Sequence, residues 1–139
     1  MQEYRYLLDT NMLSALVRSP VGIVAARLTV AGESLVCTSI VVACELRFGA
    51  EKKGSSLLSA RIGQLLNSLP VLPLSEEADR HYADIRYFLE RSGTMIGPND
   101  LLIAAHARSL GLVVVTDNER EFSRVPGLMV ENWLRSCEP

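Results

Sequence analysis

Tyr4-Arg5-Tyr6-Leu7-Leu8-Asp9 near one end of the chain and Leu112-Val113-Val114-Val115-Thr116-Asp117 near the other decide the fold class. In each, a short β-prone apolar run stops at or just before an aspartate. Such runs, Tyr4–Leu8 and Leu112–Val115, suit buried strands of a parallel sheet that helices cover on both faces. Ser34–Cys37 and Val71–Leu74 read as weaker strands, and Leu128–Val130 as a last one ahead of Trp133. The intervening pattern is helical. Ser56–Leu69 repeats Leu58, Ile62, Leu65 and Leu69 along one face. Glu76–Glu90 does the same with Ala78, Tyr82, Ile85 and Leu89, with Ser75 as its cap and two glutamates in its first turn. Pro98–Leu110 begins on proline and stops at Gly111, the expected punctuation of a helix. Strands alternating with helices predict an α/β fold with a mainly parallel sheet.

Bulk properties bound the function. A chain of 139 residues, 48% hydrophobic and 22% charged, fits one globular domain over 1–139 with its core from about 4 to 133. No apolar run approaches the ~18 residues that span a bilayer. Met1–Tyr6 carries neither a basic leader nor a hydrophobic signal core, so a cytoplasmic location is expected. Cys37, Cys44 and Cys137 contain no Cys-x-x-Cys pair and read as small buried hydrophobes or incidental thiols. His81 and His106 are too few for a histidine-based metal site, and His106 takes a surface or packing role. A net charge of −2 does not advertise a nucleic-acid binder. RNA contact would need local cations, with Lys52, Lys53, Arg47, Arg86 and Arg91 as candidates.

The acids fall where ligands bind in open parallel sheets, beyond the carboxyl ends of the strands. Asp9 follows the first strand and Asp117 the fourth, so both emerge on one edge, although each alone suits a turn or a helix cap. Glu45 lies in the helical stretch Ile40–Phe48, capped by Thr38 or Ser39. Its same-face neighbours are Val41, Val42, Phe48 and Gly49. An acid on an apolar face is expensive to bury unless it is paired or binds a metal. The bland alternative is an ion pair with a nearby arginine. Asp100 leads the stripe Ile103, Ala104 and Ala107 in the first turn of its helix, with Asn99 the more natural cap. Clustered carboxylates repel one another and need a cation. Oxygen ligands favour Mg2+ or Mn2+ over zinc.

Four ordered blocks carry a resemblance: Tyr6-Leu-Leu-Asp-Thr-Asn11, Ser39-Ile-Val-Val-Ala-Cys-Glu-Leu-Arg-Phe-Gly-Ala50, Gly97-Pro-Asn-Asp-Leu-Leu-Ile-Ala-Ala-His-Ala107 and Val115-Thr-Asp-Asn-Glu-Arg-Glu-Phe122. With the ending Val125–Trp133, they resemble the PIN-domain ribonucleases, specifically the VapC-type toxins of bacterial toxin–antitoxin pairs. The likeness runs from about Tyr6 to Trp133. It implies a metal-dependent endoribonuclease in which Asp9 and Asp100 hold Mg2+ or Mn2+ most directly. Glu45 would bind through water or position the attacking water. Thr10, Asn11, Ser39 and Thr116 would form the surrounding shell. It also implies a homodimer, a VapB-type antitoxin that blocks the site, and contact with DNA only through that antitoxin. The family's fourth block places Asn118 at the fourth site position, with Glu121 as the acid before Phe122. The bare reading of the residues prefers Asp117.

Two readings compete. An aspartate-based phosphatase would need a second aspartate two residues after Asp9, where this chain has Asn11, and no Gly-x-x-x-x-Gly-Lys loop is present. A PIN-fold binding module, weakly active or inactive within a DNA-binding toxin–antitoxin complex, is separated from the enzyme by metal-dependent turnover. For the enzyme, the expected substrate is tRNA or another structured RNA, read by shape.

Overall fold

The computed structural model describes residues 3–135. Cys137 lies outside them. Thirteen short elements follow one another: β1 (Tyr6–Leu8), α1 (Thr10–Arg18), α2 (Ile23–Ala31), a 3-10 turn (Glu33–Leu35), β2 (Val36–Ser39), α3 (Ile40–Lys53), α4 (Ser56–Ser68), β3 (Val71–Leu72), α5 (Ala78–Ser92), α6 (Pro98–Leu110), β4 (Val113–Val115), α7 (Glu119–Phe122) and β5 (Met129–Glu131). The strands form one sheet in the order β3-β2-β1-β4-β5, and every pairing is parallel. β2 and β4 are buried along their whole length, as expected of strands covered on both faces.

This order has a consequence for the site. The chain leaves β1 toward β2 and β3 on one side, then returns to place β4 and β5 on the other. The switch point therefore lies between β1 and β4, where a crevice opens at the carboxyl ends. Asp9 follows β1 there, and Thr116 follows β4.

Apolar side chains fix the sheet in place. Leu7, Leu8, Val36 and Val114 are fully buried, as are Met12, Leu13, Ile85, Leu89 and Ile103 from the helices. Each such side chain contributes about 1.5–3 kcal/mol on leaving water. Trp133 closes the far side, its ring meeting Tyr6 edge-on at 5.2 Å between centroids.

Of the two residues expected to cap α3, Ser39 does so, its Oγ accepting from the Val41 amide at 3.1 Å. Thr38 instead donates to the Leu8 carbonyl at 2.7 Å. Ser75 does not cap α5, which starts at Ala78 without a side-chain cap. Its hydroxyl lies 2.5 Å from Ser109 Oγ, so tertiary contact with α6 wins over local capping. Glu76 and Glu77 consequently precede the helix, and Asp79 is the acid in its first turn. Asn99 does not cap α6, whose cap position is Gly97. Cys37 is buried, as a small hydrophobe would be, whereas Cys44 is exposed. No single helix among the described residues is long and apolar enough to cross a membrane.

Candidate active site

Asp9 is both a cap and a wall of the crevice. Its Oδ1 accepts from the Thr10 amide at 2.8 Å, which starts α1. Its Oδ2 accepts from Thr116 Oγ1 at 2.7 Å and from Asn11 Nδ2 at 3.4 Å. The residue is only 3% exposed. Burial pushes its carboxyl above the usual range, and the donors from Thr116, Thr10 and Asn11 pull part of the way back.

Glu45 enters from α3. The expectation that it sits on a buried apolar face is corrected: Glu45 is half-buried, and its supposed neighbour Phe48 is 67% exposed. The inward face of α3 runs through Val42, Leu46 and Ala50, which leaves Glu45 at its margin. There Oε1 accepts from Thr10 Oγ1 at 2.6 Å, and Oε2 accepts from Asn99 Nδ2 at 3.2 Å. Among the described residues no arginine or lysine pairs with it. Asn99 is thus a site contact that reading for helix caps overlooked.

Asp100 enters from the first turn of α6. Its Oδ2 accepts from Asn118 Nδ2 at 2.9 Å, and Asn118 Nδ2 also donates to Glu121 Oε2. Glu121 Oε1 accepts from the Gly97 amide at 3.1 Å. The Asp100 carboxyl is pushed up to about 7, first by burial, then by the charges of Asp9, Glu121 and Glu45. Glu121 moves the other way, because Asn118 and the Gly97 amide donate to it. The two carboxyls, bridged by the Asn118 amide, therefore shift in opposite directions.

Asp117 and Asn118 separate cleanly. Asp117 is exposed, and its Oδ1 accepts from Asn132 Nδ2 at 3.0 Å. Asn118 faces Asp100. Asn11 ties the segment down, its Oδ1 accepting from the Asp117 amide at 2.9 Å. Ser39 does not join the shell around the acids. Its Oγ is 2.8 Å from Nδ1 of His106, a fully buried ring, so His106 packs and does not reach the surface. Burial lowers the His106 imidazole below its usual range, with the Pro73 carbonyl opposing.

The result is an open cleft of about 420 Å³ bordered by Asp9, Asn11, Glu45, Asp100, Asp117 and Asn118. Thr10, Ser14 and Arg18 complete one wall. Ser14 and Arg18 escaped the sequence reading, which assigned no helix after Asp9. Their spacing of four from Thr10 is the signal that marks one helical face. Of the cations expected to meet RNA, Arg86 bonds Glu90 and Tyr82, and Arg91 lies over the Tyr87 ring. Lys53 lines a groove that shares Thr10, Ser14, Arg18 and Glu45 with the cleft.

The donor set fits a hard cation. It is all oxygen, and none of the four ion pairs among the described residues includes Asp9, Glu45 or Asp100. No three described His, Cys, Asp or Glu side chains close into a ready cage. An open ring of this kind suits Mg2+, which is commonly bound through one or two carboxylates while keeping several waters.

Comparison with known proteins adds an independent line. A family model described as PIN domain matches residues 6–128. Ribonuclease VapC2 of Haemophilus influenzae is 39% identical over 132 residues, covering 94% of this chain and 98% of that protein. The tRNA(fMet)-specific endonuclease VapC of Salmonella typhimurium is 37% identical over 130 residues, covering 93% and 98%. Among solved structures, VapBC2 from Rickettsia felis bound to a promoter DNA fragment contains a chain that superposes with a TM-score of 0.86 at 32% identity, covering 92% of this chain and 98% of that one.

Proposed function

The chain belongs to the PIN-domain family and, within it, to the VapC ribonucleases, and we propose that it hydrolyses RNA in the cleft formed by Asp9, Glu45 and Asp100. One observation carries this reading: three carboxylates from separate segments converge at the β1/β4 switch point with no cationic side chain paired to them among the described residues. Asp9 and Asp100 would hold Mg2+ or Mn2+ directly, and Glu45 through water. Such an ion, when bound, lowers the pKa of a water and steadies charge on a phosphodiester oxygen.

The chain's own residues do the rest. Glu45 orients the attacking water, its carboxylate fixed by Thr10 and Asn99. The water oxygen bonds to phosphorus as the bond from phosphorus to the 3′ oxygen breaks. The released proton ends on that oxygen, leaving a 5′-phosphate and a 3′-hydroxyl. Asn118 occupies the fourth position and holds Asp100 by an amide donor. Thr116 and Asn11 fix Asp9 in the same way.

The substrate we propose is tRNA or another structured RNA, as the name of the Salmonella relative suggests. A VapB-type antitoxin would cover the cleft and inhibit the toxin. The protein would act as a homodimer in the cytoplasm and meet DNA only through that antitoxin, following the DNA-bound VapBC2 complex.

The test is cleavage of a total tRNA pool by purified protein with Mg2+ or Mn2+, beside EDTA and Asp100→Asn controls. Discrete fragments that vanish in both controls are expected. Intact tRNA in every lane with folded protein would count against the enzyme, and fragments ending in a 2′,3′-cyclic phosphate would count against water as the nucleophile.

A further inference from the structure

From the wall of the cleft formed by α1 we infer a binding track for RNA phosphates, built from Ser14 and Arg18 and continued by Lys53 and Arg61. The inference rests on the ribonuclease reading and adds the direction in which the RNA strand leaves the cleft.

The geometry begins with Asp9. By capping α1, it fixes the helix so that Thr10, Ser14 and Arg18, four apart, share one face. All three border the acid cleft. They play different parts there. Thr10 gives its hydroxyl to Glu45 and belongs to the acids. Ser14 is half-buried, and its hydroxyl has no partner among the described residues. Arg18 is exposed and has no carboxylate within ion-pair reach among them.

Among the described residues, Arg18 is the only lysine or arginine bordering the acid cleft. It also borders two further grooves. One runs between α1, α3 and α4 and carries Lys53 on its edge. The other runs between α1 and α4 and carries Arg61. Three concavities therefore share Arg18, the first of the two further grooves starting at Glu45. Each of these two holds another exposed cation with no ion-pair partner among the described residues. A basic residue in the last turn of a helix complements the helix dipole. That accounts for a positive charge at this end of α1, but not for an arginine that borders the acid cleft with no ion pair to any described carboxylate.

The electrostatics call for such a group. The net charge is −2, and the cleft gathers carboxylates that repel the RNA backbone. A metal offsets that repulsion at the scissile phosphate only. A flanking phosphate needs its own cation, and a planar guanidinium matches two phosphate oxygens at once. Ser14, one turn nearer the acids, offers a hydroxyl donor to the same strand.

The test reads binding and turnover separately. In the Asp100→Asn background, so that RNA survives, fluorescence anisotropy would follow a labelled tRNA pool with and without Arg18→Glu. Arg18→Glu is expected to weaken binding about tenfold or more, with Arg18→Lys between it and the parent. Arg18→Ala should flatten the slope of log affinity against log salt by about 0.7, the share of one phosphate contact on a single strand. In the active protein, Arg18→Ala should raise KM and leave kcat nearly unchanged. Arg91→Glu carries the same charge change outside these grooves and should leave both parameters where they were.

Equal affinity and salt slope in the Arg18 variants would overturn the track. So would weakening by Arg91→Glu to the same degree, or loss of antitoxin affinity alone with RNA binding intact. Absence of RNA binding by the parent would overturn it too. Arg18-dependent binding by a wild-type protein that never cuts would sink the ribonuclease reading and leave the track standing.

Discussion

At the junction of α5, α6 and the turn before β5, Arg108 donates to His81 Nδ1 at 2.8 Å, to the Pro126 carbonyl at 3.0 Å and to Asp84 Oδ2 at 2.7 Å. Its side chain is 16% exposed, and each of its three nitrogens donates to an acceptor. At the other region, the acid cleft, Asp9, Glu45 and Asp100 receive neutral donors only, from Thr10, Asn11, Thr116, Asn99 and Asn118. Both regions withdraw charge from water. Arg108 meets its counter-charge within the fold. The cleft leaves its own to be supplied, and burial and the neighbouring acids push the Asp100 carboxyl up to about 7 meanwhile. A charged group neutralised by partners within the fold is there for the fold, whereas one held in place yet unneutralised points to a ligand.

The strongest way to break this contrast is to neutralise the cleft. Asp9→Asn should fold and lose tRNA cleavage by on the order of a hundredfold or more, read from initial rates. Glu45→Gln should fold as the parent does and cut about tenfold more slowly. Unchanged turnover would return Glu45 to a structural role.

Stability should move in the opposite sense. In the metal-free protein, the native state holds the Asp100 proton up to about 7, against 3.8 ordinarily. The native state therefore binds more protons than the unfolded chain in that window, and Asp100 makes the fold less stable as pH rises through it. Asp100→Asn should melt several degrees above the metal-free parent at pH 8. The gap should close toward pH 4, and added Mg2+ should raise the parent's melting temperature alone. A gap independent of pH would remove the repulsion from the account.

At the partnered region, Arg108→Met should cost about 1–2 kcal/mol in a denaturant titration. The cost is modest because Asp84, 68% exposed, remains solvated. Cleavage per folded molecule should not change. Smallest of all, Asp117→Ala should alter turnover by less than about twofold, since the side chain is exposed and faces Asn132. Asn118→Ala should cost more, because it strips Asp100 and Glu121 of their shared donor. A reversal of that order would restore Asp117 to the fourth position.

The sheet was legible because buried parallel strands are written as short β-branched runs, and each expected strand overlaps an observed one. The helices that carry an uninterrupted apolar stripe were legible too, α6 from its proline to Gly111. α1, α2 and α7 were not, being nine residues or fewer in length, which leaves little room for a period to declare itself. Missing α1 hid Arg18, whose place in the cleft depends on the helix that Asp9 starts. Glu45 was misplaced for a related reason. Identity at three- and four-residue spacing does not say where the buried arc ends, and Phe48 proved to lie outside it. Ser75 and Asn99 show the limit of capping rules, since each side chain found a tertiary partner that local geometry does not foretell.

Trp133 is the one tryptophan of the chain and is 2% exposed, its ring against Tyr6 and its Nε1 donating to Glu131 at 3.0 Å. It joins the first strand to the end of the last across nearly the whole length of the chain. Its fluorescence is therefore a built-in gauge of whether the two ends have met. Excited at its red edge, the protein carries its own optical probe of that closure, with no label attached.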